Sequence, residues 1–170
     1  MNVKDFIRSI PDFPKPGVQF RDITPLLSNP KASEACVTKL IEMLEGQQID
    51  KVAAVESRGF FFGILLAQRL GVGFVPIRKP GKLPYEVLSE TYDLEYGTDA
   101  LEIHKDAISK GERILLHDDV LATGGTALAA SRLIERLEGT LIQCNFLIEI
   151  EMLAGRQKLE HFPVKSLMTF

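Results

Sequence analysis

Apolar positions along this 170-residue chain fall into two alternating rhythms. Residues 51–55, 74–77, 114–116, 141–150 and 164–169 read as strands, the central ones as apolar runs of the kind that are buried on both faces. Between them apolar residues return at helical spacing. Ala32, Ala35, Cys36, Leu40, Met43 and Leu44 give one helix its inner face, residues 60–70 form a dense apolar helix, and Ala130, Leu133, Ile134 and Leu137 fall at i, i+3, i+4, i+7. Asn29-Pro30 supplies an N-cap and a first-turn proline, and Gly46 a stop. Strand–helix–strand alternation predicts an α/β fold: a central, mainly parallel twisted sheet flanked by helices.

Three stretches break the rhythm. Residues 1–10 read as a short helix with Val3, Phe6, Ile7 and Ile10 on one side. Residues 11–25 carry four prolines, which forbid a regular helix and most sheet pairing, yet also apolar and aromatic residues, so an ordered arm is expected. Residues 78–97 mix basic, glycine and proline positions with a polar and aromatic run, as in a long hairpin-like excursion or lid, with 101–103 returning as a strand. A turn at 107–111 and a short helix at 155–160 complete the reading.

Composition narrows the class. One domain spanning 1–170 is expected, with no repeats and no composition break. A net charge of −3 argues against a general nucleic-acid binder. No apolar run approaches a membrane span, so no membrane partner is expected, and the N-terminus is unlike a signal peptide. Cys36 and Cys144 lie in apolar settings without metal-ligand spacing, as buried free thiols of a reducing, cytoplasmic protein.

The chemistry concentrates after residue 112. The apolar strand is followed by two consecutive acids, Asp118 and Asp119, then by Ala122-Thr123-Gly124-Gly125-Thr126, then by the amphipathic helix. Two glycines let several backbone N–H groups converge on one anion. The helix start adds its dipole, and two threonines add hydroxyl donors. That makes a phosphate cradle. The carboxylates upstream suit a vicinal diol or a hydrated cation, and phosphate beside diol describes a ribose 5-phosphate. The loop is neither a Walker A sequence nor G-x-G-x-x-G. Ligands of open α/β sheets bind beyond the strands' carboxyl ends. Glu56-Ser57-Arg58-Gly59 after one strand, and Arg78, Lys79 and Lys82 after the next, therefore add cations for a polyphosphate.

Strand, acid pair and Thr/Gly-rich loop together resemble the phosphoribosyl-diphosphate (PRPP) signature of the type I phosphoribosyltransferases. Further segments resemble the adenine-specific branch of that family: Pro11-Asp12-Phe13-Pro14, Phe20-Arg21-Asp22-Ile23-Thr24-Pro25, Glu56-Ser57-Arg58-Gly59-Phe60, Gly81-Lys82-Leu83-Pro84 and Leu94-Glu95-Tyr96-Gly97. The resemblance covers nearly the whole chain, to about residue 159.

It implies conversion of adenine and PRPP to AMP and pyrophosphate in purine salvage, with Mg2+ and a homodimer. It implies an N-terminal arm or hood over 1–28, with Phe20 stacked on the purine, the backbones of Gln19 and Arg21 reading its polar edge, and Ile150 walling the base pocket. Ala122 to Thr126 would take the 5-phosphate, and Ser57, Arg58, Arg78, Lys79 and Lys82 the pyrophosphate, with Arg78 acting across a subunit interface. Asp118 and Asp119 would hold the ribose and, through water or PRPP, the metal. On a lid over 80–98, Glu95 would be the acid/base and Tyr96 would help close the site. A cis Glu56–Ser57 peptide is also implied.

His117 departs from the apolar residue usual before the acid pair: it is either a satisfied buried histidine or a perturber of Asp118 and Asp119 at mildly acid pH. Two other readings remain at this stage. A PRPP-sensing regulator would be expected to carry a DNA-binding segment, for which these residues leave no room, and a relative acting on 6-oxopurines would place its base contacts elsewhere.

Overall fold

The structure is a computed structural model that describes residues 1–94 and 96–170. They divide into two compact units, Met1–Glu42 and Met43–Phe170.

In the first unit a 3-10 turn, Val3–Phe6, leads into strand β1 (Arg8–Ile10), which pairs antiparallel with β2 (Phe20–Asp22). The helix expected over 1–10 is therefore only its first turn, and the arm does form a short ladder, outside its prolines. Of the four apolar residues expected on the helix's inner side only Val3 is buried. Helix α1 (Thr24–Leu27) carries Pro25 in its first turn, and α2 (Pro30–Glu42) begins where the sequence predicts, with Ala32 N donating to Asn29 Oδ1 at 3.0 Å. Val37 takes the buried position expected of Ala35.

The second unit holds a five-stranded, wholly parallel sheet in the order β4-β3-β7-β8-β9. Its strands are β3 (Lys51–Val55), β4 (Gly73–Ile77), β7 (Arg113–Leu121), β8 (Thr140–Glu149) and β9 (Val164–Thr169). Pro76 is tolerated because β4 is an edge strand, whose outer side needs no donor. Helix α4 (Gly125–Arg136) packs Ala127, Ala130, Leu133 and Ile134 against Ala53, Val55, Ile114, Leu116, Cys144 and Phe146. Helix α3 (Gly59–Leu70) covers the opposite face at β3 and β4, where Phe60 meets Phe74 edge-on at 5.6 Å. Within the excursion expected over 78–97, strand β5 (Val87–Asp93) pairs antiparallel with β6 (Thr98–His104), so 101–103 lies in that hairpin's second arm. Among the described residues no helix is long and apolar enough to cross a membrane.

Topology places the functional crevice. From β3 the chain steps outward to β4, then returns to β7 on β3's other side and continues through β8 to β9. The strand order thus reverses between β3 and β7, the position at which open parallel sheets bind ligands.

Candidate active site

Strand β7 pairs with β3 only as far as His117, yet it pairs with β8 through Leu121. Asp118 and Asp119 therefore lie inside the strand, rather than after it as expected, on a segment whose β3 side has no ladder partner among the described residues. A β-strand can carry two acids there because that edge opens onto the crevice at the carboxyl end of the sheet.

Beyond β7 the chain turns through Ala122, Thr123 and Gly124 into α4. Gly124 caps the helix with φ +85, a left-handed conformation that suits glycine. The first N–H groups of α4 have no acceptor within the helix and face the turn. Their counterpart is Gly155, which opens a 3-10 turn, Gly155–Leu159. A Cβ on Gly124 would stand 2.4 Å from the Gly155 oxygen, and one on Gly155 would stand 2.2 Å from the Ala122 oxygen. Two backbones thus touch with no room for a side chain on either.

Gly155 is held in turn by its neighbour. Arg156 donates to both oxygens of the buried Glu149, Nε to Oε1 at 3.0 Å and Nη2 to Oε2 at 2.5 Å, and also to the Val164 carbonyl at 2.8 Å. Ser166 Oγ adds a bond to Glu149 at 2.6 Å. Hydrogen bonds from Arg156 hold the Glu149 carboxyl below the usual range despite its burial. Gly155, Glu149 and Arg156 were not singled out in the sequence. The signal was present, since they flank the carboxyl end of β8, where the rule applied to β3, β4 and β7 also holds.

A cleft of about 330 Å3 joins these parts, lined by Glu56, Ser57, Arg58, Lys79, Asp118, Asp119 and the turn 122–124 with Thr126 and Ala127. Burial first, and then the charge of Asp119, push the Asp118 carboxyl well above its ordinary range, although Arg58 opposes this. Arg58 Nε lies 2.8 Å from Asp119 Oδ2. The Glu56–Ser57 peptide is cis, as the resemblance implied.

Glu56 is a hub for the next strand's cations. Its Oε1 accepts from the Lys79 backbone N–H at 2.7 Å and lies 3.3 Å from Arg78 Nε, and its Oε2 accepts from Lys82 Nζ at 2.6 Å. Burial would raise the Glu56 pKa, but these bonds and charges outweigh it and the carboxyl sits below its ordinary value. Lys79 Nζ reaches the hairpin, donating to Asp99 and, at 2.9 Å, to the Tyr92 hydroxyl.

Of the sequence candidates, Ser57, Arg58, Lys79, Asp118, Asp119, Ala122, Thr123, Gly124 and Thr126 line one cleft. Gly125 is the first residue of α4, and Arg78 and Lys82 join the site through Glu56. Ile150 lies just past β8, half-buried, with its N–H on the Leu121 carbonyl at 3.0 Å. Gln19, Phe20 and Arg21 belong to the first unit, where the Phe20 ring meets Phe13 edge-on at 5.1 Å. Tyr96 is exposed, and Glu95 lies outside the described residues.

His117 is fully buried, with Nδ1 2.8 Å from Asn145 Oδ1 and no partner for Nε2 among the described residues. Burial lowers its pKa to about 4, so at mildly acid pH it is neutral and brings no charge to the acid pair. The unfolded chain takes up this proton near pH 6.5 and the folded chain only near 4. Stability therefore falls as pH drops through that window, by about 3 kcal/mol at 1.36 kcal/mol per unit. NMR titration should show the His117 imidazole still neutral at pH 5, and a protonated His117 there would refute the assignment.

An acid pair, a glycine-containing turn at a helix start and a ring of cations meet at one switch point, as expected of a phosphoribosyltransferase, and the Phosphoribosyl transferase domain family matches residues 23–166. The chain belongs to this family and, within it, to the adenine phosphoribosyltransferases. It is 56% identical to the adenine phosphoribosyltransferase of Flavobacterium johnsoniae over 170 residues, covering 100% of both chains. The crystal structure of the Thermoanaerobacter pseudethanolicus enzyme superposes with a TM-score of 0.96 at 54% identity, covering 99% of this chain and 98% of that one. The Saccharomyces cerevisiae enzyme, solved with adenine and an imino-altritol bisphosphate, gives 0.92 at 44% identity over 97% and 96% of the two chains.

Proposed function

We propose that this cleft transfers the 5-phosphoribosyl group of PRPP to N9 of adenine, releasing pyrophosphate and forming AMP. The observation that carries the reading is the single cleft in which the acid pair, the turn 122–124 and Lys79 converge.

The turn's N–H groups and Thr123 and Thr126 hold the 5-phosphate. Asp118 and Asp119 accept from the ribose hydroxyls and fix the ring. As the bond from C1 to the pyrophosphate oxygen breaks, its electron pair leaves with pyrophosphate, whose growing charge meets Arg58, Lys79, Lys82, Arg78 and the Ser57 hydroxyl. Adenine N9 attacks C1, and the imidazole proton passes to Glu95. Gln19, Phe20, Arg21 and Ile150 serve the base, and residues 80–98, with Tyr96, exclude water.

Among the described residues no cluster of three or more side chains could cage a metal. Two adjacent carboxylates nevertheless fit Mg2+, which keeps its waters and binds through few protein ligands plus phosphate oxygens. Bound with PRPP, it would neutralise charge on the departing pyrophosphate.

The whole chain acts as one domain, with 1–28 as hood, and works in the cytoplasm, in keeping with the two buried free thiols, which burial raises to about 12. A homodimer is the working form. Its support is the outer face of α3, where Phe61, Ile64 and Leu65 stand 45%, 49% and 38% exposed at i, i+3, i+4. Ile64→Glu should convert the dimer to a monomer in sedimentation. An unchanged dimer would move the interface elsewhere.

Pyrophosphate release from PRPP and Mg2+, with each purine base supplied separately, tests the reaction. Release with adenine alone, with AMP as product, is expected. Release with a 6-oxopurine would overturn the base assignment, and no release with any base would overturn the reaction.

A further inference from the structure

Each cation assigned above to pyrophosphate rests on an internal carboxylate. Arg58 lies on Asp119 at 2.8 Å, Lys82 on Glu56 at 2.6 Å, Arg78 on Glu56 at 3.3 Å, and Lys79 on Asp99. Asp119 belongs to the acid pair and Glu56 sits beside the cations in sequence, so both had other reasons to be there. Asp99 had none. It lies on β6, directly across the hairpin from Tyr92 in the ladder.

Both residues converge on Lys79. Its ammonium donates to the Asp99 carboxylate and to the Tyr92 hydroxyl at 2.9 Å, and stands 5.5 Å from the centre of the Tyr92 ring. The Tyr92 hydroxyl also donates to Asp99 at 3.3 Å and accepts from Thr126 Oγ1 at 3.4 Å. One phenol thus bridges the cation of the pyrophosphate set and a hydroxyl of the 5-phosphate turn, while one carboxylate neutralises the cation.

An ammonium has three donors and one charge. A carboxylate on it competes with an incoming phosphoryl oxygen for both, and a half-exposed pair is easily exchanged. We propose that Asp99 is an internal stand-in for the pyrophosphate: its carboxylate occupies Lys79 in the ligand-free protein and yields it when the pyrophosphate group of the substrate arrives, while Tyr92 keeps the ammonium aligned with Thr126. Asp99 then sets affinity and product release. The carboxylate offsets the charge of the Lys79 ammonium, and this competition weakens binding of the polyanion and so speeds its departure.

This inference rests on the assignment of Lys79 to pyrophosphate, and the test separates the two. Magnesium pyrophosphate is titrated calorimetrically into the wild-type protein and into Asp99→Asn, Asp99→Glu and Lys79→Ala. Asp99→Asn should bind about fivefold more tightly, a gain of about 1 kcal/mol, with a lower KM for PRPP and a kcat no higher than wild type. Asp99→Glu should restore wild-type affinity. A merely structural Asp99 would give weaker binding, and that result, or unchanged affinity, overturns the stand-in. Loss of affinity in Lys79→Ala keeps the cation's assignment whatever Asp99 does. No loss there overturns the assignment and the inference with it.

Discussion

Replacing Gly155 by alanine is expected to lower kcat/KM for PRPP by about 100-fold, the cost of misplacing a reacting group by roughly 1 Å. The added Cβ would meet the Ala122 oxygen at 2.2 Å and the Gly124 nitrogen at 2.9 Å, and both are backbone atoms that cannot rotate away. Something must move. The 3-10 turn is clamped by the paired hydrogen bonds of Arg156 on Glu149, so the turn 122–124 is the part that yields. Its N–H groups then no longer converge on the 5-phosphate. Gly124→Ala should do the same from the other side, with an added penalty from φ +85. Arg156→Lys removes the bidentate geometry but puts no new atom into the backbone contact, so a smaller loss is expected. Steady-state kinetics across PRPP concentration, alongside a thermal melt, checks the series. Wild-type kcat/KM in Gly155→Ala would mean that the turn tolerates displacement and that its contact with Gly155 is incidental.

Gly155 also shows where sequence reading stopped. Strands β3 and β9 lie at the bounds the apolar runs predict, and α2 starts at the Asn29–Pro30 cap, because those signals are local. The end of β7 was misplaced. Its apolar run stops at Leu116, and His-Asp-Asp looks like an exit from the sheet. What keeps these residues in a strand is the ladder with β8, which is not a property of the segment. The β1–β2 hairpin was missed for a related reason. Three-residue strands carry too few positions to separate a period of 2 from one of 3.6, and their pairing spans a proline-rich stretch. At the site, the acid pair, the turn and the cations were legible because their residue types carry the chemistry themselves. Asp99, Tyr92 and Gly155 act only through contacts with distant residues, namely Lys79, Thr126 and Ala122. One chain without a fold gives no sign of such contacts.

The other large effect concerns the acid pair. Asp119→Asn should lower kcat by about 100-fold or more, on the scale of losing one electrostatic contact to a developing charge, while adenine affinity stays within about twofold of wild type, ordinary scatter for a site left untouched. Asparagine keeps the shape and one acceptor oxygen of a side chain that is 5% exposed, so packing around β7 should survive. What it removes is the negative charge that Arg58 answers at 2.8 Å and that helps push the Asp118 carboxyl upward. Without that charge the pair binds the ribose hydroxyls and the hydrated cation less strongly, and it no longer offsets positive charge forming at C1 as the bond to pyrophosphate breaks. The base is held by other residues, so its binding has no reason to follow. AMP formation and adenine binding measured on the same preparation separate the two quantities. An equal fall in both would make Asp119 a structural residue of the cleft, and no fall in either would remove it from the reaction, leaving Asp118 to act alone.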